Sequence, residues 1–455
     1  MFDQCSLDQE KCKVLADSLM RMKHLKMFEI HDFINLGLGL SSIIYNLAFS
    51  PNLLKLDISR CSIINTNEVN EAVISLQKLL KINSSIEVIK ATNIYNLNPM
   101  LNKDFWVALG ECRTLRVLDL SFSGDLSQKK TEMGQAIAFN AKKKGSLEYL
   151  NIKGSFNGNY NLNLLYTAMN VSEYDEESLY GDPNKLAKMI ASNYKKVYYN
   201  NLKALQLDNC SNLNPSNFSL AHYNKLVEKK DPEYVRLFSL SPCLESLNLR
   251  CTNMQKHIAE VFVLALDPRR SNFVSKIKVL DLSKNSLGKE GIKILAEVLP
   301  HNNILEVLDL SKNALGVSGA YELSVALKNN KSLKYLNLFN NKIAYDGARA
   351  VAENIVANSP SLEFLEIGHN RIRDKGLKAL VDAITSNKQS VLRVLCFRFN
   401  FITNSTAEYL ITQITTKPNK LEEVFMRNNS LDDMGISNLY SLHEQSKSKV
   451  SIDIL

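Results

Sequence analysis

No stretch of this 455-residue chain is apolar for long enough to cross a membrane. The longest apolar run, Val261–Leu266, falls far short of the roughly 20 residues that a helical span needs. The opening MFDQCSLDQEKCK has no apolar h-region, so no secretory signal peptide is expected. Eight cysteines contain no C-x-x-C pair and no disulfide-like cadence, which fits reduced thiols in a cytosol-like compartment. Gly/Ser-rich, Pro-rich and low-complexity stretches are also missing, so no linker divides a chain longer than one globular core normally grows. The signatures G-x-x-x-x-G-K-[ST], G-x-S-x-G and H-E-x-x-H do not occur. None of the seven histidines pairs with a Cys or carboxylate at ligand spacing, so neither a metal nor a cofactor is expected. The net charge of +8 is modest for this length. Its only dense basic clusters, Lys142–Lys144 and Arg269–Arg270, form no continuous stripe, so nucleic acid is not the expected partner.

A repeat fills the space these absences leave. IKVLDLSKNSL from Ile277, LEVLDLSKNAL from Leu305, LKYLNLFNNKI from Leu333, LEFLEIGHNRI from Leu362, LRVLCFRFNFI from Leu392 and LEEVFMRNNSL from Leu421 share one pattern, L-x-x-L-x-L-x-x-N-x-L. A fixed period of 28–30 residues is the mark of a solenoid. Positions 4 and 6 alternate as in a strand and point inward, which leaves positions 3, 5, 7 and 8 to face outward. At position 9, Asn285, Asn313, Asn341, Asn370, Asn400 and Asn429 recur. A buried amide there can bond turn backbone from one copy to the next. Gly291, Gly319, Gly347, Gly376 and Gly435 stand 14 residues after position 1, followed by apolar pairs four apart such as Leu323 and Leu327. That half reads as an amphipathic helix.

Weaker copies begin at Leu25, Leu53, Ile86, Leu115, Leu147, Leu202 and Leu244, which makes about 13 units over 25–449. Cys61 and Cys210 take position 9 in two of them. Residues 1–24 read as a helical cap, with Leu7, Val14, Leu15, Leu19 and Met22 on its inner face. Residues 450–455 read as a closing strand with Val450 at position 1 or position 4. The step from Leu147 to Leu202 leaves room for an insertion near 153–201 containing Tyr160, Tyr166, Tyr174 and Tyr180. It is either a binding loop or further degenerate structure.

The run 277–433, with SKNSLGKEGIKILAEVL and SKNALGVSGAYELSVAL, resembles the ribonuclease-inhibitor class of leucine-rich repeats. That resemblance implies an α/β solenoid curved as a horseshoe, with parallel strands on the concave face and helices on the convex face. The class includes NOD-like receptor sensor domains and Ran GTPase-activating proteins. The Asn-, Lys- and Ile-rich vocabulary is similar to that of leucine-rich-repeat effectors of intracellular bacteria such as Legionella. An effector would be secreted without a signal peptide into the host cytosol and would act on a host protein. The alternative is a small-GTPase activator, although no catalytic residue carries over by motif and the acidic tail of many such activators is missing.

The outward positions say where a partner would bind. They are bland in the copies from 277 and 305 and then turn aromatic and basic: Tyr335, Phe339, Phe364, His369, Arg398, Phe399, Phe425 and Arg427, with Arg371 and Phe401 at position 10. Exposed rings beside arginine are the composition of interface hot spots. The expectation is a monomeric, non-catalytic module that binds a protein through this face.

Overall fold

The computed structural model describes residues 9–33, 36, 38–63, 65–142, 145–155, 204–206, 243–252, 266, 276–446 and 449–454. The expected insertion, beyond residue 155, lies outside the described residues, as do Leu7, Cys210 and Arg269–Arg270. The chain forms two compact units, Met1–Glu245 and Ser246–Leu455.

In the first unit, three-residue strands occupy positions 3–5 of successive copies. They are β1 (Met27–Glu29), β2 (Lys55–Asp57), β3 (Val88–Lys90), β4 (Val117–Asp119), β5 (Tyr149–Asn151) and β6 (Ala204–Gln206). All neighbours pair in parallel, Met27 opposite Lys55 and Lys55 opposite Val88. Helices alternate with them: α1 (Gln9–Arg21), α2 (Leu38–Leu47), α3 (Thr66–Ile82), α4 (Leu97–Met100), α5 (Lys103–Glu111) and α6 (Lys130–Lys142). The helix α1 buries Cys12, Ala16 and Leu19 and leaves Val14 exposed, and Met22, just past its end, is exposed as well. The expected cap face is therefore rotated. Residues 12, 16 and 19 share one stripe of a 3.6-residue turn, and the small Cys12 and Ala16 let α1 lie close against α2.

The second unit repeats the design more regularly. Its strands are β7 (Ser246–Asn248), β8 (Val279–Asp281), β9 (Val307–Asp309), β10 (Tyr335–Asn337), β11 (Phe364–Glu366), β12 (Val394–Cys396), β13 (Glu423–Phe425) and β14 (Ser451–Asp453). Its helices are α7 (Gly288–Ala296), α8 (Gly316–Leu327), α9 (Ala344–Val351), α10 (Arg373–Ser386), α11 (Asn404–Thr416) and α12 (Asp433–Ser446). The architecture is that of an α/β leucine-rich-repeat solenoid. Positions 4 and 6 (Leu308 and Leu310, Leu336 and Leu338, Leu365 and Ile367) are buried, at about 1.5–3 kcal/mol per side chain. Ser451 pairs with Glu423 and Ile452 with Val424. Ile452 thus holds position 4 of the last strand, and Val450 falls at position 2, neither of the two expected places.

The repeated glycine serves close approach of helices. A Cβ on Gly347 would lie 2.9 Å from Ile343 Cβ and 3.0 Å from Ala320 Cβ. Any larger residue would force α9 away from α8.

The asparagines form a ladder. The backbone N–H of Asn285 donates to Oδ1 of Asn313 at 3.0 Å, Asn313 to Asn341 at 2.9 Å, and Asn341 to Asn370 at 2.7 Å. Asn370 donates to Asn400, and Asn400 to Asn429, each at 2.9 Å. Each side-chain NH₂ also donates to carbonyls of its own and the preceding copy; Asn341 reaches Leu310 O at 2.9 Å and Leu338 O at 3.1 Å. In the first unit position 9 holds Cys61, Ile94, Ser123 and Ser155 instead, and Asn98 of α4 supplies bonds to Leu120 O and Ser155 Oγ.

Two rims border the strands of the second unit. At the strand starts, position 2 alternates in charge: Lys278, Glu306, Lys334, Glu363, Arg393, Glu422. Lys334 pairs with Glu306 at 2.9 Å and Arg393 with Glu422 at 2.6 Å. At the strand ends, positions 8 and 10 of the five copies from 277 to 392 lie in the left-handed region, φ running from 53° to 61° over Lys284, Ser286, Lys312, Ala314, Asn340, Lys342, His369, Arg371, Phe399 and Phe401. This tight alternating turn is what hands the chain from strand to ladder.

Candidate functional site

The sequence-predicted residues all belong to the second unit, and the structure sorts them into three groups. At the strand starts the Tyr335 ring of β10 stacks on Phe364 of β11, with centroids 4.4 Å apart and planes 16° from parallel. Both are half-buried, so each shields the other and neither stands free in water. Burial pushes the Tyr335 hydroxyl up to about 12, with the carboxylates of Asp309 and Glu366 adding to the effect.

The second group runs along the strand ends. Phe339 meets His369 at 5.7 Å between centroids, and His369 meets Phe399 at 5.9 Å, both tilted near 50°. Lys312, from the copy before, places Nζ 5.8 Å from the Phe339 centroid, within cation–π range. Phe401 lies two residues past Phe399, and Arg371 two past His369. Phe399 and Phe401 expose 43% and 57% of their surface, which is high for large aromatic side chains. The row therefore crosses three copies and ends in two rings open to solvent.

Beneath this row sits a charge pair. Arg398 Nη2 donates to Glu366 Oε2 at 3.1 Å, and its Nε reaches Cys396 Sγ at 3.1 Å. Glu366 is buried and also accepts the N–H of Gly368 at 2.7 Å. Burial, with Glu366 nearby, pushes the Cys396 thiol up to about 12. Gly368 has a specific duty here. A Cβ on it would stand 2.7 Å from Glu366 Oε1, 3.0 Å from the Arg398 carbonyl and 3.0 Å from the Phe339 ring. Its hydrogen is what lets Phe339 lie across β11.

The third group is peripheral. Arg427 donates to Asp453 on the closing strand, and Phe425 is half-buried at position 5 of β13. The expectation that position 7 faces outward fails for Ser283, Ser311 and Gly368, which are buried. The turn to left-handed backbone at position 8 folds position 7 under it, so only long side chains such as Arg398 or Phe339 emerge. Sequence reasoning passed over Lys312, Gly368 and Cys396. Reading each position against the same position one copy away would have found Lys312, the unit-305 counterpart of Asn340 and His369. A separate shallow depression, lined by Glu363, Arg393, Lys420 and Glu422, lies at the strand starts, where Arg393 and Glu422 pair with each other.

Among the described residues no group of His, Cys, Asp or Glu is placed to hold a metal ion, and no helix is long and apolar enough to cross a membrane. The Leucine Rich repeat family matches residues 275–296, 301–324, 329–352 and 358–381, the most regular copies. These stretches are leucine-rich repeats, which generally mediate protein–protein interaction and generally form a non-enzymatic scaffold. No curated protein matches the chain. Among solved structures, the crystal structure of the Rad7 and Elc1 complex in yeast contains a chain 16% identical to this one, with a TM-score of 0.35. The alignment covers 87% of this chain and 83% of that one, a likeness too remote to carry an argument.

Proposed function

We propose that the protein binds a partner protein through the strand ends of β10–β12, with Phe339, His369, Phe399 and Phe401 as the central contacts. One observation carries this reading. Phe399 and Phe401 hold left-handed backbone, at φ 58° and 61°, and remain exposed. Each such position costs a bulky L-residue about 1 kcal/mol or more, and an exposed ring returns little burial to offset it. Equivalent positions in other copies carry mostly polar or small residues (Asn, Lys, Ser, Ala, Arg, Asp, Cys or His), which tolerate the turn or keep it wet, and Phe122 of the first unit repeats the exposed ring once. Two phenylalanines kept at a cost to the fold point to a use outside it.

Arg371 borders this centre. Arg398 acts by holding Glu366, while Tyr335, Phe364, Phe425 and Arg427 form its flanks. The module consists of a helical cap over 1–24, the array over 25–449 and a closing strand over 450–455, acts as a monomer and needs no catalytic residue. The effector reading adds that the partner belongs to a host cell; its support is the residue vocabulary of the chain.

The test is an affinity capture from eukaryotic lysate with the native chain and a Phe399→Ala/Phe401→Ala variant. A protein retained by the first and lost by the second supports the reading. Equal capture by both overturns this choice of surface.

A further inference from the structure

The two rims of the second unit differ in charge balance. At the strand starts every cation of position 2 from Lys278 to Arg393 has a neighbour of opposite sign. At the strand ends Lys312, Lys342, Arg371 and Arg373 are exposed and Lys284 is half-buried. None of these five enters an ion pair among the described residues. Positions 8 and 10 of the copies from 277 to 421 hold no acidic residue at all. The carboxylates that follow are engaged locally: Glu290 with Lys289 at 3.8 Å, Asp346 with Arg349 at 4.0 Å, and Asp374 accepting the N–H and hydroxyl of Thr403 at 2.9 and 3.1 Å.

Lys284, Lys312, Lys342 and Arg371 come one from each of four successive copies. Two of them stand at position 8 and two at position 10. Parallel strands lie about 4.8 Å apart, so together they span roughly 15 Å of the rim, up to the copy that carries the exposed rings. Backbone groups add to it. The position-10 N–H groups of Ser286, Ala314, Lys342, Arg371 and Phe401 donate to no acceptor among the described residues, while the neighbouring N–H groups at positions 8 and 12 bond across to the next copy, as Lys312 does to Phe339 O and Gly316 to Asn341 O. Free donors and unpaired cations that recur in each copy suit an extended chain that brings carboxylates and carbonyls.

We infer that the strand-end rim from Lys284 to Arg373 binds an extended acidic segment of the partner protein, whose apolar side chains continue onto Phe399 and Phe401. This rests on the protein-binding reading above and names the chemistry of its partner. The carboxylates meet Lys284, Lys312, Lys342 and Arg371, and Arg373 widens the positive end. A protein segment is favoured over a nucleic acid strand because the two phenylalanine rings open to solvent, Phe399 and Phe401, lie past one end of the cations, whereas a single strand is held by bases stacking all along its groove.

The experiment is fluorescence anisotropy of the full chain with three labelled probes at low salt. They are a peptide of about twelve residues made of Glu, Asp, Leu and Phe, its Lys-for-acid counterpart, and an oligothymidylate of similar length. The acidic peptide is expected to bind and the basic one not. Lys312→Glu/Lys342→Glu/Arg371→Glu should weaken the acidic peptide at least tenfold, and the Gln versions should fall between. Affinity of the native chain should drop as salt is raised from 50 to 300 mM, because exposed charges are screened over a Debye length. Circular dichroism of each variant confirms that the fold is kept. No binding of the acidic peptide, equal binding of both peptides, or tighter binding of oligothymidylate overturns the inference. Peptide binding lost with Phe399→Ala/Phe401→Ala but indifferent to the charge reversals also overturns it, while leaving the protein-binding reading in place.

Discussion

Arg398 reaches back one copy and closes over Glu366, a carboxylate with 7% of its side chain exposed, while 41% of the arginine side chain remains in contact with solvent. The pair connects β12 to β11 at the point where Phe339, His369 and Phe399 cross the strand ends. It makes Arg398 a support for the aromatic row, and removal of the arginine disturbs the floor of the site before it removes any contact to a partner.

Arg398→Ala is therefore expected to lower stability by about 2 kcal/mol, less than for a fully buried pair because the arginine is partly solvated. Glu366→Gln in the same chain should recover most of the loss, since the uncompensated charge is then gone. Urea unfolding of the two variants checks this. An Arg398→Ala chain as stable as the native one would contradict the support role.

Asn341→Ala leaves the N–H of Asn313 without its acceptor in a buried turn and takes one of two amide donors from each of the carbonyls of Leu310 and Leu338. The expected cost is about 2–4 kcal/mol. Asn98→Ala in the first unit should also destabilise, because its side chain stands in for the missing ladder there. Thermal unfolding of both variants gives the comparison.

Gly368→Ala crowds a buried carboxylate, a backbone carbonyl and the Phe339 ring at once. The ring is the part able to swing away. Stability should fall by about 1–2 kcal/mol, and partner capture should fall with it. Retention of full capture would show that Phe339 is not needed where it lies.

Alkali should weaken the fold through its buried thiols. Burial pushes Cys61 and Cys396 up to about 12, above the usual thiol value, so the unfolded chain loses these protons first. Stability is fully present below the unfolded value and declines as pH rises from there towards 12, by up to about 1.4 kcal/mol per pH unit for each thiol. Cys396→Ala should reduce the slope measured between pH 9 and 11. At pH 8 an alkylating reagent should reach the partly exposed Cys243 and Cys251 before Cys61 or Cys396.

Much of the fold was legible because the repeat writes it many times over. Positions 4, 6 and 9 name the core and the ladder directly, and the irregular steps of the first half did not hide the strands at Met27, Lys55 or Val88. What the pattern could not convey was the turn after position 7. Left-handed backbone at Lys312, His369 and Phe399 rotates side chains away from simple alternation, which buries Ser311 and lifts Phe399. The pairing of Arg398 with Glu366 was hidden for another reason: the two lie 32 residues apart in the chain and meet only through stacking of copies. The cap face was misread because large apolar residues outweighed Cys12 and Ala16, whose small size is what close helix packing selects.

The most direct measurement pairs stability with binding in one variant, Phe399→Asn/Phe401→Asn. Asparagine accepts left-handed backbone, and Asn340 and Asn428 already hold position 8 in two other copies. If the rings are kept for a partner, the variant should melt at or above the native temperature, by up to about 1 kcal/mol of added stability, and should lose partner capture. A variant that is clearly less stable yet captures the same partner would show that the two phenylalanines serve the fold, and would contradict the account.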